Sequence, residues 1–143
     1  MSVESRTVIV KQKFAADGGN VYDGFLDPSI ASRFLFATPA GTMVRAEIDA
    51  RVGGAYTLVE RREGTDVVHS GEYLELTRPS RIVFTFLVPQ FSSVTTTVQI
   101  DIAPAGEGCE LTLTHTGVLP AWEEQTREGW MEILLTAEKV LAD

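Results

Sequence analysis

The sequence predicts one α+β domain, in which a curved antiparallel sheet of about seven strands wraps around a long C-terminal helix. Two short helices are expected near the start of the chain. Between residues 44 and 115, stretches of alternating apolar and polar residues are separated by short turn signals, which is typical of antiparallel strands joined by hairpins. From residue 120 onward, apolar residues recur with helical spacing. A sheet with one apolar face needs a cover, and this helix is the only predicted element long enough to provide it.

The first strand and the two short helices come before the main run of strands. Residues 7–14 alternate as a strand does. The turn signal at residues 17–20 can cap a short helix, and Asp27 followed by Pro28 is a favourable start for a second one. We expect Phe34, which follows that second helix, to face the interior.

Six strands are predicted after these helices. The clearest alternation places Val44, Ala46 and Ile48 on one face, with charged residues between them. This first strand covers residues 44–50. The other five are predicted around residues 56–60, 67–76, 82–86, 94–102 and 111–115.

The C-terminal helix is predicted from its start signals and its apolar stripe. Pro120 suits the first turn, and Glu123 and Glu124 lie where the positive end of the helix dipole favours them. Gly129 precedes Trp130, and its missing side chain is interpreted as allowing close approach of the helix to the sheet. The stripe consists of Trp122, Thr126, Trp130, Ile133, Leu134, Ala137 and Leu141.

Composition sets the class of protein. The chain has 143 residues, of which 44% are hydrophobic and 22% charged, as in an ordinary globular domain. We therefore expect residues 1–143 to form a single domain. No apolar run approaches the roughly 20 residues that cross a bilayer, and no signal-peptide pattern is found at the start. Cys109 is the only cysteine, so an intramolecular disulfide is excluded, and a cytoplasmic location is expected.

The net charge of −8 argues against two classes of partner. Nucleic-acid binders usually carry a basic stripe, because phosphate neutralisation supplies much of their affinity. Anionic membrane surfaces are disfavoured for the same reason. The expected partner is a small apolar or amphipathic molecule, with neither nucleic acid nor membrane, and a homodimer remains open.

Several segments, in this order and spacing, resemble the bacterial proteins related to the C-terminal domain of the heat shock protein 90 ATPase activator. This family belongs to the START-like (SRPBCC), helix-grip superfamily. The resemblance covers nearly the whole chain, and it implies a helix-grip fold and a tendency to bind ligands. The segments are residues 50–56 (ARVGGAY), 70–76 (SGEYLEL), 78–86 (RPSRIVFTF), 111–117 (LTLTHTG) and 128–130 (EGW).

No motif in the sequence indicates a particular reaction. His69-Ser70-Gly71 lies inside a predicted strand and lacks the preceding glycine of a nucleophile elbow. Gly53 and Gly54 lead into a strand, where a tight turn explains them. The histidines and Cys109 lack the spacing of metal ligands. We therefore expect no metal, no cofactor and no assigned catalytic residue.

Three polar residues are candidates for acid–base chemistry. Glu60 shares the inward parity of Tyr56 and Leu58, so it is either a buried carboxylate or the end of a strand, in water or paired with an arginine. His115 either hydrogen-bonds a loop and fixes the junction before the helix or transfers a proton. The direction of His69 depends on whether a bulge occurs near Gly71.

Aromatic and apolar side chains are expected to converge between the sheet and the helix, where they either fill a core or line a binding pocket. The candidate pocket residues are Phe34, Tyr56, Leu58, Glu60, His69, Phe84, Phe86, Trp122, Trp130 and Leu134.

Three functions remain open from the sequence. The leading hypothesis is a module that binds a small hydrophobic or amphipathic ligand. The second is an enzyme of the cyclase, dehydratase or isomerase kind, in which Glu60, His69 and His115 supply acid–base groups and Tyr56 or Tyr73 orients a substrate oxygen. The third is a protein-interaction module, by analogy with the chaperone activator.

Overall fold

The computed structural model describes residues 5–142 and has the predicted α+β architecture. The strands form one antiparallel sheet in the order β1-β7-β6-β5-β4-β3-β2. Its seven strands, two short helices and long C-terminal helix confirm the predicted fold class. The elements in chain order are β1 (Arg6–Phe14), α1 (Gly18–Leu26), α2 (Pro28–Ala31), β2 (Thr42–Ile48), β3 (Ala55–Arg62), β4 (Thr65–Thr77), β5 (Arg81–Phe86), β6 (Thr96–Ala105), β7 (Gly108–Val118), a 3₁₀ turn (Pro120–Trp122) and α3 (Glu123–Leu141).

The two short helices begin at the predicted capping residues. The Asp17 carboxylate accepts a hydrogen bond of 2.8 Å from the Asn20 amide at the start of α1. The Asp27 carboxylate accepts one of 2.9 Å from the Ser29 amide at the start of α2, with Pro28 in the first turn. These bonds satisfy amide groups that have no partner inside the helix. The turn after α2 buries Phe34 completely, as expected.

A bulge in β2 changes the predicted direction of Val44. The pairing of β2 with β3 shifts register between Met43 and Arg45. An extra residue in one strand reverses the alternation on one side of it. Val44 is therefore 42% exposed, whereas Met43 and Ala46 pack against the core. The prediction that Val44 faces inward is wrong for this reason.

A second irregularity in β4 decides which residues of that long strand face the core. The pairing with β5 shifts between Tyr73 and Glu75, and Leu74 is left exposed. Before the shift, Val67, His69 and Tyr73 are buried on the inner face. The open question about His69 is thereby answered, because its side chain points to the interior.

Gly71 allows close approach of two neighbouring strands. A Cβ atom at this position would overlap the backbone carbonyl of Thr85 in β5. The same carbonyl accepts a hydrogen bond of 2.8 Å from the Tyr56 hydroxyl. A glycine is therefore needed at residue 71 for β4 and β5 to approach each other this closely.

Helix α3 covers one side of the inner face of the sheet and lies along β1. The predicted stripe is confirmed, because Trp130, Leu134, Ala137 and Leu141 are all buried. The start of the helix differs from the prediction in one respect. Pro120–Trp122 forms a separate 3₁₀ turn, and the α-helix begins at Glu123.

We predict that Gly71→Ala destabilises the protein strongly. The added methyl group meets backbone atoms, which cannot rotate away as a side chain would, so we expect a loss of about 3 kcal/mol in the free energy of unfolding. Urea denaturation followed by circular dichroism measures this change. Gly129→Ala is the matched control, because the added Cβ would meet no atom within 4 Å. Since alanine favours a helix more than glycine does, we expect this variant to be more stable by up to about 1 kcal/mol. Equal stabilities of the two variants would contradict the account of Gly71.

Candidate functional site

A cavity lies between the sheet and the N-terminal half of α3. It has two adjoining lobes, with volumes of about 170 Å³ and about 340 Å³. We call the smaller lobe, which reaches Phe36, Ala37 and Ile133, the inner lobe, and the larger lobe, which reaches the loop between β5 and β6, the outer lobe; both are open to solvent to a similar degree. The two lobes share seven polar or aromatic residues, Thr38, Arg62, His69, Phe86, His115, Gln125 and Thr126. The cavity is thus mostly apolar at both ends and more polar where the lobes meet.

The structure brings four of the ten predicted pocket residues to this cavity. His69 and Phe86 line both lobes, Trp122 lines the outer lobe and Trp130 the inner one. Five others are buried in the hydrophobic core away from the cavity wall, and Glu60 lies behind it. The alternation of a strand tells which face a residue is on, but it does not tell which end of the sheet the helices leave open. The five core residues are Phe34, Tyr56, Leu58, Phe84 and Leu134.

Phe36 is the central aromatic residue of the site and lies in the connection between α2 and β2. Its backbone has a φ angle of 60°, the left-handed conformation that only a few per cent of non-glycine residues adopt. This conformation turns the ring inward, where it stacks on His69 with centroids 4.5 Å apart and planes 3° apart. Phe86 and Trp130 also contact this ring, at centroid distances of 5.2 and 5.6 Å. Periodicity could not find Phe36, because it lies outside any helix or strand.

Glu60 fixes the loop that carries Phe36. Its side chain is fully buried, and one carboxylate oxygen accepts bonds of 2.5 Å from the Thr38 amide and 2.6 Å from the Thr38 hydroxyl. The other oxygen accepts a bond from Nε of Arg62. A side chain on Gly41 would overlap the carboxylate. Of the two alternatives left by the sequence, Glu60 is therefore buried, and it is also paired with an arginine.

His69 is a neutral histidine with one nitrogen bound to the sheet. Its Nδ1 lies 3.2 Å from the carbonyl oxygen of Leu58. Burial lowers the pKa of His69 to about 4, and the charge of Arg62 lowers it further. The backbone carbonyls of Leu58 and Val67 and the charge of Glu60 oppose this lowering. The ring is therefore uncharged at neutral pH.

His115 joins the sheet to the helix. Because the indole of Trp130 can only donate, its Nε1–H donates to Nδ1 of His115 over 3.0 Å. The proton of the neutral ring is then on Nε2, which donates to the Thr96 hydroxyl at 2.6 Å. Burial lowers the pKa of His115 to about 4. The expected bond from His115 to a loop is not found, because its partners are a residue of β6 and a residue of α3.

Apolar side chains surround the mouth of the outer lobe. Phe91 and Trp122 stack with ring centroids 5.9 Å apart, and Phe91 and Val94 are 51% and 44% exposed. The prediction that Val94 begins a strand is wrong, because β6 starts at Thr96 and Val94 lies in the preceding loop. Val88, at the other end of this loop, is buried against the cavity.

Gly129 lines both lobes of the cavity. A Cβ atom at this position would meet no atom within 4 Å. The interpretation that Gly129 brings the helix close to the sheet is therefore wrong. The missing side chain instead leaves open space beside the helix.

Two further features of residues 5–142 bear on the class of site. No group of three or more His, Cys, Asp or Glu side chains in this range is placed to hold a metal ion. No helix of the described chain combines the length and hydropathy needed to cross a membrane.

The buried histidines predict a pH-dependent stability. Both have a pKa of about 4 in the folded protein, below the ordinary histidine value of 6.5, so between these values the unfolded chain binds more protons. The free energy of unfolding should therefore fall as pH decreases from 6.5 to 4, by about 3 kcal/mol for each histidine at most. Urea denaturation at pH 7, 6 and 5 measures this slope.

His115→Gln serves as the comparison for this prediction. It removes one of the two groups, so the loss of stability between pH 7 and pH 5 should be smaller than in the wild type. An unchanged slope in this variant would show that other groups cause the acid sensitivity.

Comparison with known proteins agrees with the geometry. Residues 15–141 match the family model described as "Activator of Hsp90 ATPase homolog 1-like protein". Protein CV1439 from Chromobacterium violaceum has a similar structure, with a TM-score of 0.88 and 27% identity over 96% of this chain and 97% of that one. Protein NE0264 from Nitrosomonas europaea has a TM-score of 0.80 at 23% identity, covering 94% and 93% of the two chains.

A third structure shows the breadth of the fold. CalU16 from Micromonospora echinospora has a TM-score of 0.73 at 20% identity and covers 97% of this chain and 78% of its own. A search of curated proteins found no match. The family match spans most of the chain and agrees with the observed sheet, helices and order of elements. The chain belongs to the family of Activator of Hsp90 ATPase homolog 1-like proteins.

Proposed function

We propose that the protein binds a small apolar or amphipathic molecule in the cavity between the sheet and α3. The observation that carries this proposal is an apolar-walled space with a few buried polar groups where its two lobes meet. Such a combination is the usual composition of a small-molecule site. The exposed apolar rim at Phe91 and Val94 gives a ligand a route from solvent.

The size of the cavity narrows the range of ligands. Small-molecule sites commonly have volumes of about 300–1,000 Å³, and the outer lobe of about 340 Å³ lies near the lower limit. This volume favours a compact molecule of two or three rings over a lipid with two acyl chains. The aromatic rings of Phe86 and Trp122 supply flat walls for such a molecule.

Binding without turnover is favoured over acid–base catalysis. Both histidines line the cavity with a lowered pKa, which is the arrangement that an enzyme would need. However, both ring nitrogens of His115 are already hydrogen-bonded. His69, with a pKa of about 4, is a weak proton acceptor at neutral pH, since general bases work best with a pKa near the operating pH.

A cytoplasmic location and a homodimer stay predictions from the sequence.

We predict that filling the space beside Gly129 abolishes ligand binding without unfolding the protein. The probe is N-phenyl-1-naphthylamine, an uncharged dye whose fluorescence rises in apolar surroundings. Wild type should bind it saturably, at one dye per chain. Gly129→Leu should weaken the affinity at least about tenfold, because the new side chain occupies the cavity. Fluorescence titration gives the dissociation constants.

Gly129→Ala is the control for this experiment. It adds the smallest side chain at the same helical position and should keep the affinity within about threefold. Thermal unfolding of all three proteins shows whether each is folded. Failure of the folded wild type to bind the dye, or equal affinity in Gly129→Leu, would refute the proposed site.

A further inference from the structure

One nitrogen of the buried His69 is available to a ligand. Because a carbonyl oxygen only accepts, the contact with Leu58 places the ring proton on Nδ1. The neutral ring then has a bare lone pair on Nε2. The backbone carbonyl of Val67 also acts on this ring, but it is another acceptor and cannot pair with a lone pair. His69 is only 4% exposed and lines both lobes of the cavity.

The described part of the chain supplies no donor to this lone pair. The backbone groups that interact with the His69 ring, the carbonyls of Leu58 and Val67, are both acceptors, and no donor to the ring is found among residues 5–142. No fully enclosed side-chain nitrogen or oxygen in that range lacks a partner. The Nε2 atom is therefore in contact with the open space of the cavity and is not sealed inside the core.

His115 cannot serve the same purpose. Its Nδ1 accepts from Trp130 and its Nε2 donates to Thr96, so neither nitrogen has capacity left for a ligand. The stacking of His69 on Phe36 fixes the plane of the imidazole, and the bond from Nδ1 to Leu58 fixes which edge of the ring faces the sheet, so together they set the direction of the free lone pair. The cavity therefore has a fixed imidazole acceptor where its two lobes meet.

The arginine beside His69 is already neutralised. Arg62 lines both lobes, and its Nε donates to the buried carboxylate of Glu60. Both groups act electrostatically on His69, with opposite sign. An incoming carboxylate would gain the attraction of Arg62 but would also meet the nearby charge of Glu60, within a chain of net charge −8. This arrangement favours an uncharged polar group over an anion.

Given the binding site proposed above, we propose that its ligand is an uncharged alcohol or phenol whose hydroxyl group donates a hydrogen bond to Nε2 of His69. The apolar body of the ligand then lies in the outer lobe, between Phe86 and Trp122. A molecule of the same shape without the hydroxyl hydrogen leaves Nε2 desolvated and without a partner. Sites built to pair with a ligand hydroxyl discriminate against such analogues for this reason.

Three naphthalene probes test the proposal by isothermal titration calorimetry at pH 7. 2-Naphthol can donate a hydrogen bond, 2-methoxynaphthalene cannot, and 2-naphthoate carries a negative charge. We expect 2-naphthol to bind about tenfold more tightly than 2-methoxynaphthalene and also more tightly than 2-naphthoate. His69→Phe keeps a flat ring beside Phe36 but removes the acceptor, so it should weaken 2-naphthol about tenfold and leave 2-methoxynaphthalene within about twofold.

The outcomes separate this inference from the proposed function. If 2-methoxynaphthalene binds wild type as tightly as 2-naphthol, the cavity binds apolar molecules but the role of His69 is wrong. If 2-naphthoate binds most tightly, the ligand is an acid and the charge argument is overturned. If no probe, including N-phenyl-1-naphthylamine, binds the folded wild type, the binding site itself is refuted.

A measurement on wild type avoids dependence on the folding of a variant. The imidazole ¹⁵N chemical shifts report the protonation and hydrogen bonding of each ring nitrogen. Saturation with 2-naphthol should shift Nε2 of His69 toward the hydrogen-bonded range, while the nitrogens of His115 stay in place. An Nε2 signal that 2-naphthol and 2-methoxynaphthalene move equally would contradict the proposed hydrogen bond.

Discussion

The buried carboxylate of Glu60 is the interaction on which the geometry of the cavity depends. A carboxylate without water needs a counter-charge or several donors, and Glu60 has Arg62 and both donors of Thr38. By binding Thr38, it fixes the segment after α2 and so the ring of Phe36, two residues earlier in the chain. Phe36 in turn stacks on His69 and limits its rotation. The carboxylate of Glu60 therefore determines, through Thr38 and Phe36, the position of the uncharged imidazole of His69.

The two buried histidines show how the first partner of an imidazole decides the role of the second nitrogen. In His115 the indole donor of Trp130 occupies Nδ1, so the proton is on Nε2 and holds Thr96. In His69 a backbone carbonyl occupies Nδ1, so the proton is on that nitrogen and Nε2 remains an acceptor. The same side chain, equally buried, is thus a structural link in one strand and an open polar group in another.

Much of the fold could be predicted from the sequence, because alternation, capping residues and one apolar stripe are local signals. The bulge in β2 could not be predicted, because it depends on the pairing with β3. The alternation therefore predicts the wrong face for Val44. The residues that line the cavity were harder to predict for a related reason. Tyr56 and His69 share the inner face of the sheet, but only the packing of the helices shows that Tyr56 lies in the core and His69 on the cavity wall. Phe36 and Phe91 lie in loops, where periodicity says nothing.

The stack of Phe91 on Trp122 has a kinetic consequence. The two rings belong to different connections, the loop before β6 and the 3₁₀ turn before α3, and they meet through one aromatic contact. Such a contact contributes only about 1 kcal/mol, and rotation of exposed side chains takes picoseconds to nanoseconds. The entrance can therefore widen by rotation of the exposed Phe91 side chain while every strand keeps its pairing. For the proposed ligand, this means that exchange would be controlled by the strength of its contacts inside the cavity, and not by the speed of a backbone rearrangement.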